Sequence, residues 1–136
     1  MALIRNFPLL ILPLLIYNAF SLGIISTLGE IWSGEIFRFD MISGATFSLT
    51  RGGMIVTIAL SLLFIEILKA TRTARSTIID HLLSTLVFII YLIQFIVDPA
   101  AATTTYFICL MVALLDVIAG YSISIRVASR DVTLGS

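Results

Sequence analysis

Asp116 stands in the stretch ALLDVIAGYS, deep within a long apolar run near the C-terminal end of the sequence. Removing a charged carboxyl from water is costly, so such a group is held neutral, wetted, paired with another chain or bound to a cation. An intramembrane acid is therefore a candidate carrier of protons or cations. The competing role is structural: a protonated Asp donates a hydrogen bond to a hydroxyl or amide on a neighbouring helix. Asp116 lies about ten residues from the inner end of its segment, roughly 15 Å at ~1.5 Å per residue, which is near the middle of a bilayer. Antiparallel pairing with the preceding segment sets it level with Val87 and Phe88, with Ser84 a turn shallower. Asn18 and Ser61 fall at similar depths in their own segments. Asn18, Ser61, Ser84 and Asp116 are thus a candidate midplane polar cluster.

A second constellation lies nearer the inner boundary. His81 is the only histidine, and it falls level with Glu66 about one turn inside the apolar layer. A Glu66–His81 contact would make a pH-sensitive pair. Glu66 also precedes Lys69 by three residues, the spacing of a helical ion pair whose lysine snorkels outward. Thr77 to Asp80 spell a capping box, which gives Asp80 a capping role at a helix start.

These residues need long apolar elements to hold them. The 136-residue chain is 60% hydrophobic and only 12% charged, too little polar surface to cover a soluble core of this length. Four apolar runs have the length of membrane spans, at about 7–28, 53–70, 78–97 and 104–125. The expected fold is an all-α integral membrane four-helix transmembrane bundle, a single membrane domain over residues 1–136. The first run is longer than a signal-peptide core and no small-residue cleavage site follows it, so it is read as an uncleaved span. Pro13 lies inside it and is expected to bend the helix. In the third run Asp80, Ser84, Tyr91, Gln94 and Asp98 share one stripe. In the fourth, Thr105, Cys109, Ala113, Asp116, Gly120 and Ser124 share another. The short DPAAATT turn makes these runs antiparallel neighbours, and the two stripes are expected to face each other.

Six of the eight basic residues, among them Lys69, Arg72 and Arg75, fall on one side of this arrangement. The positive-inside rule then places both termini in the cytoplasm. Residues 30–51 form the outer loop. There Phe37, Phe39 and Met41 alternate with Arg38 and Asp40, and Phe47 and Leu49 alternate with Ser48 and Thr50. Period two interrupted at Ser-Gly favours a short β-hairpin. An interfacial helix with Trp32, Ile36 and Phe39 on one side is the rival.

The residues also exclude chemistry. One His does not supply paired haem ligands, and Cys109 has no partner for an internal disulfide. There is no phosphate-binding loop, metal-ligand spacing or nucleophile elbow, so no enzyme activity, cofactor or metal is expected. The few basic residues lack a module for nucleic acid. The stretches EILKATRT and DVIAGYSISIRVASRD resemble small uncharacterised bacterial four-span inner-membrane proteins. The resemblance covers mainly residues 64–131; it implies a bacterial inner membrane and transfers no activity. Two functions remain. The first is a non-catalytic accessory or scaffold subunit of a larger membrane complex, with membrane lipids and other membrane subunits, or itself, as partners. The alternative is a small oligomeric proton- or cation-coupled transporter or channel using Asp116.

Overall fold

The computed structural model describes residues 8–23, 32–71 and 74–135. Within them the chain is mostly helical, with four helices and one two-stranded sheet: α1 (Ile11–Gly23), β1 (Glu35–Asp40), β2 (Thr46–Thr50), α2 (Arg51–Ala70), α3 (Ala74–Val97) and α4 (Thr104–Gly135). A single 3-10 turn, Pro99–Ala101, joins α3 to α4.

The apolar spacing explains the packing. In α2 the inward positions are Gly52, Ile55, Ala59, Leu62, Glu66 and Lys69, separated alternately by three and four residues. In α4 the inward series Tyr106, Cys109, Ala113, Asp116 and Gly120 repeats the same spacing. This is the seam pattern of closely packed, nearly aligned helices. α4 packs along both α2 and α3, and α1 lies across from it, touching α2 and bonding to α3. The α4 stripe is therefore shared between two neighbours. Gly52 of α2 sits against Thr105 and Trp32, whereas Gly120 lies under the His81 ring of α3.

Two local expectations are corrected. α1 begins at Ile11, so Pro13 occupies its first turn, where a missing N–H removes no helical bond and gives no cause for a bend. α3 begins at Ala74, so Thr77 is already helical and cannot be the cap of a box with Asp80. At the far end of α3 Asp98 is a cap: its Oδ1 accepts the Ala100 N–H at 3.0 Å and starts the 3-10 turn.

The hairpin forms as the alternation implied. Phe37 pairs with Leu49, Arg38 with Ser48, Phe39 with Phe47 and Asp40 with Thr46. Its turn closes through Gly44 N–H to Met41 O (3.0 Å) and Met41 N–H to Ala45 O (2.8 Å), with Gly44 at φ +91°. That left-handed position is why the turn needs glycine.

Among the described residues, two helices carry apolar stretches long enough to cross a membrane, Arg51–Lys69 and Thr104–Ile123. The apolar stretches Ile11–Ser21 and His81–Val97 are shorter. α3 itself has 24 residues, but Arg75 and Asp80 occupy its first turns. Part of the expected first span, 24–28 and residue 7, lies outside the described residues. The fold is consistent with a membrane protein.

A Cβ at position 120 would lie 2.6 Å from His81 Cε1 and 2.7 Å from Nδ1, closer than side chains pack. Gly120→Leu is expected to cost at least the roughly 1–3 kcal/mol of an overpacked core site. Leu115→Phe, on the exposed side of the same helix, should change little. Thermal unfolding in detergent checks this, and equal losses for the two variants would contradict the α3–α4 contact.

Candidate functional site

The polar side chains of the bundle gather in two layers. The first lies at the end where the hairpin, the start of α2 and the α3–α4 turn meet. Tyr106 N–H donates to Thr103 Oγ1 (3.1 Å), which caps α4. Thr103 shares a 2.7 Å bond with the Tyr17 hydroxyl, and Tyr17 O–H donates to Ala100 O at 2.7 Å. α1 is thereby tied to the turn. Beside this chain the side-chain amides of Asn18 and Gln94 bond reciprocally at 2.5 and 3.2 Å. Gln94 Nε2 also donates to Asp98 Oδ2 (3.0 Å), and Tyr106 O–H reaches Gln94 Oε1 (3.1 Å) and Tyr91 O (3.0 Å). Tyr17 stacks on Trp32 with ring centroids 4.4 Å apart and meets Tyr106 edge-on at 5.0 Å. The large apolar rings fill space while each tyrosine hydroxyl finds an acceptor. Ser21 Oγ and Trp32 Nε1 are buried without a hydrogen-bond partner among the described residues.

The second layer lies toward the basic end. Glu66 Oε1 accepts the Leu9 N–H at 2.9 Å and a Lys69 Nζ–H at 3.1 Å. Both Glu66 and Lys69 are buried, at 5% and 7% exposure. A buried ion pair is retained only where further hydrogen bonds satisfy it, and the Leu9 amide supplies one. The expected pair therefore forms, but Lys69 is enclosed where a snorkelling lysine was expected. The His81 ring sits on Gly120 and lies 5.1 Å from the Tyr121 ring. Thr85 donates from Oγ1 to His81 O (2.7 Å) and lies 3.2 Å from the Tyr121 hydroxyl. Glu66 is engaged by Leu9 and Lys69, while His81 faces α4.

The contact of His81 with Gly120 sets the α3–α4 register. It places Asp116, one turn earlier in α4, level with Ser84 and Thr85, about a turn from the Val87–Phe88 level expected. Ser84 and Asp116 are both buried. The contact of Gly52 with Thr105 likewise fixes α2 against α4, which run in the same direction, and sets Glu66 near the level of Gly120. Glu66, Lys69, His81, Ser84 and Asp116 thus occupy one layer from three helices.

The four-residue midplane cluster is not assembled. Ser61 is exposed and donates to Thr57 O of its own helix (3.0 Å). Asn18 belongs to the hairpin-end layer with Gln94. Helical depth alone put these residues at one level; it could not show that Ser61 points outward or that Asn18 meets an amide nearer the helix end. The sequence reading passed over Tyr17 and Trp32 as site residues. Two surface depressions flank the α3–α4 turn, one lined by Phe95, Ala102, Thr103, Thr104 and Phe107, the other by Trp32, Ser33, Ala102 and the three threonines 103–105. Both are at the hairpin end, away from Asp116.

No protein-family model, curated protein or solved structure matches the chain.

Two expectations test the layers. Lys69→Met should cost about 3–5 kcal/mol by leaving Glu66 charged and enclosed, whereas adding Glu66→Gln should restore most of that loss. A double variant as unstable as the sum of the single changes would contradict the pair. For Asn18→Ala and Gln94→Ala a double-mutant cycle should give a coupling of roughly 0.6–1.7 kcal/mol, the range of hydrogen bonds between membrane helices. Zero coupling would remove the amide pair as a tie between α1 and α3.

Proposed function

We propose that the chain is a non-catalytic accessory or scaffold subunit embedded in a membrane, most simply as a four-span bundle. The observation that carries this reading is the inverted polarity of the body. Glu66, Lys69, His81, Ser84 and Asp116 are enclosed, while Leu15, Phe64, Leu86, Ile93 and Leu115, from all four helices, are exposed. A water-soluble domain has the opposite arrangement, and exposed apolar surface on this scale signals contact with lipid or protein. Glu66, Asn18, Gln94 and the hydroxyls of Tyr17 and Tyr91 make ties between helices and to backbone, which is what holds membrane helices together when lipid is as apolar as leucine. α3's apolar stretch of 17 residues reaches about 26 Å at ~1.5 Å per residue, within the lower range for a span.

The reading extends to location and orientation. The resemblance of the 64–131 region to small bacterial inner-membrane proteins favours that membrane. The basic residues between α2 and α3 favour cytoplasmic termini with the hairpin outside. In a Cys109→Ser background, Ile42→Cys at the exposed hairpin tip should react with an impermeant reagent on intact cells, and Thr71→Cys beyond α2 should not. Ile42 is the better position because Gly44 has a left-handed φ that cysteine would strain. The opposite labelling pattern would reverse the orientation.

The second reading, a small oligomeric proton- or cation-coupled transporter or channel, is favoured by one observation: Asp116 and His81 are enclosed within one turn of each other along the α3–α4 seam. Purification in mild detergent at native size separates the two. A defined complex with other subunits is expected. A homo-oligomer whose proton or cation flux in proteoliposomes is abolished by Asp116→Asn, with thermal stability kept, would overturn the accessory reading.

A further inference from the structure

We propose that the hairpin is a membrane-surface anchor that lays its aromatic face into the interfacial layer of a neutral bilayer. The inference rests on the reading of the helical body as membrane-embedded. The hairpin has two chemically different faces. Phe37 pairs with Leu49 and Phe39 with Phe47 on one face, and the Phe37 and Phe47 rings meet edge-on with centroids 6.2 Å apart. On the other face Arg38 pairs with Ser48 and Asp40 with Thr46, whose hydroxyl donates to Asp40 Oδ1 at 3.2 Å. Arg38 also bonds Glu35 at 2.8 Å, and that hydrogen bond raises the guanidinium pKa further. Phe37, Phe39 and Phe47 are each about half exposed, and Ile42 at the tip is fully exposed. A two-stranded sheet showing this much apolar surface is marginal in water and needs a second surface.

Its attachment decides which surface. β2 ends at Thr50 and α2 begins at Arg51, with no linker between them. Thr50 Oγ1 caps α2 by accepting the Gly53 N–H at 3.0 Å, and Arg51 N–H donates to Gly34 O at 2.9 Å. Both strand roots are therefore fixed to the first turn of a helix long enough to cross a membrane. The exposed Met54 continues the apolar surface one turn into that helix. A sheet held at this level, apolar on one face and ionic on the other, matches the boundary between acyl chains and water. Over residues 35–51 Glu35 and Asp40 balance Arg38 and Arg51, so apolar contact drives the binding and anionic headgroups are not required.

The test uses the full chain in nanodiscs of phosphatidylcholine carrying bromine at shallow or deep acyl positions. Trp32→Phe removes the only tryptophan, and single tryptophans are then placed by Phe39→Trp, Ser48→Trp or Phe64→Trp. Phe39→Trp should emit at shorter wavelength than Ser48→Trp and be quenched most by shallow bromines. Ser48→Trp should be quenched by aqueous iodide, and Phe64→Trp, on the exposed side of α2, by bromolipid. Quenching of Phe64→Trp but not Phe39→Trp by bromolipid would overturn the anchor and leave the embedded body standing; absence of bromolipid quenching at both would overturn both. Equal bromolipid quenching at positions 39 and 48 would refute the face assignment, and quenching at 39 that appears only with anionic lipid would refute the neutral surface.

Discussion

A buried polar group has to find its partner inside the protein, and the rest of this structure follows from how the chain meets that constraint. Glu66 shows it most plainly. One carboxylate oxygen receives both the Leu9 amide, ahead of α1, and the Lys69 ammonium of its own helix. The bond is at once the satisfaction of an enclosed charge and the link that holds the start of α1 against the end of α2. Gln94 has the same double role at the other end, where one amide side chain meets Asn18 of α1, Asp98 at the turn and Tyr106 of α4. If either layer lost a member, the penalty would exceed one hydrogen bond, because the remaining groups would stay enclosed without full partners.

Close backbone approach makes these bonds reachable. Gly52 lets α2 come against Thr105 and the Trp32 carbonyl, and Gly120 makes room for the His81 ring. Each glycine sits beside one polar layer, so helix separation is set by small residues where side chains must meet across the gap. Between the layers Val87, Tyr91, Cys109 and Ala113 are enclosed. Tyr91 joins the two regimes, with its ring buried between the layers and its hydroxyl donating to Leu10 O at 2.7 Å.

Much of this was legible in the sequence, and the failures have specific causes. Helical class, the antiparallel α3–α4 turn and the period-two hairpin are local signals, carried by apolar spacing, Asp98-Pro99 and Ser43-Gly44. The inward faces of α3 and α4 could be read from Ser84, Tyr91, Asp116 and Gly120 because helical periodicity fixes which residues share a face. Register between helices is a long-range property. The sequence set Asp116 opposite Val87 and Phe88 by counting from the ends, and His81 resting on Gly120 shifted it by a turn. Ser61 was misplaced for a related reason: a lone hydroxyl on a helix can return its hydrogen to the carbonyl four residues back and then faces lipid or water at little cost. The Tyr17–Trp32 stack joins residues fifteen apart in the sequence, and no spacing rule would have paired them.

The reading of the molecule as a body with polar ties inside and apolar side chains turned to lipid can be tested without reference to function. Nitroxide labels at Leu86→Cys, Ile93→Cys and Leu115→Cys, each in a Cys109→Ser background, would report collision with oxygen, which concentrates in the bilayer, and with a water-soluble nickel chelate. All three positions are exposed in the isolated chain. In nanodiscs, high oxygen and low nickel accessibility at every one of them is the expected result; high nickel accessibility at these positions would contradict a membrane-embedded body.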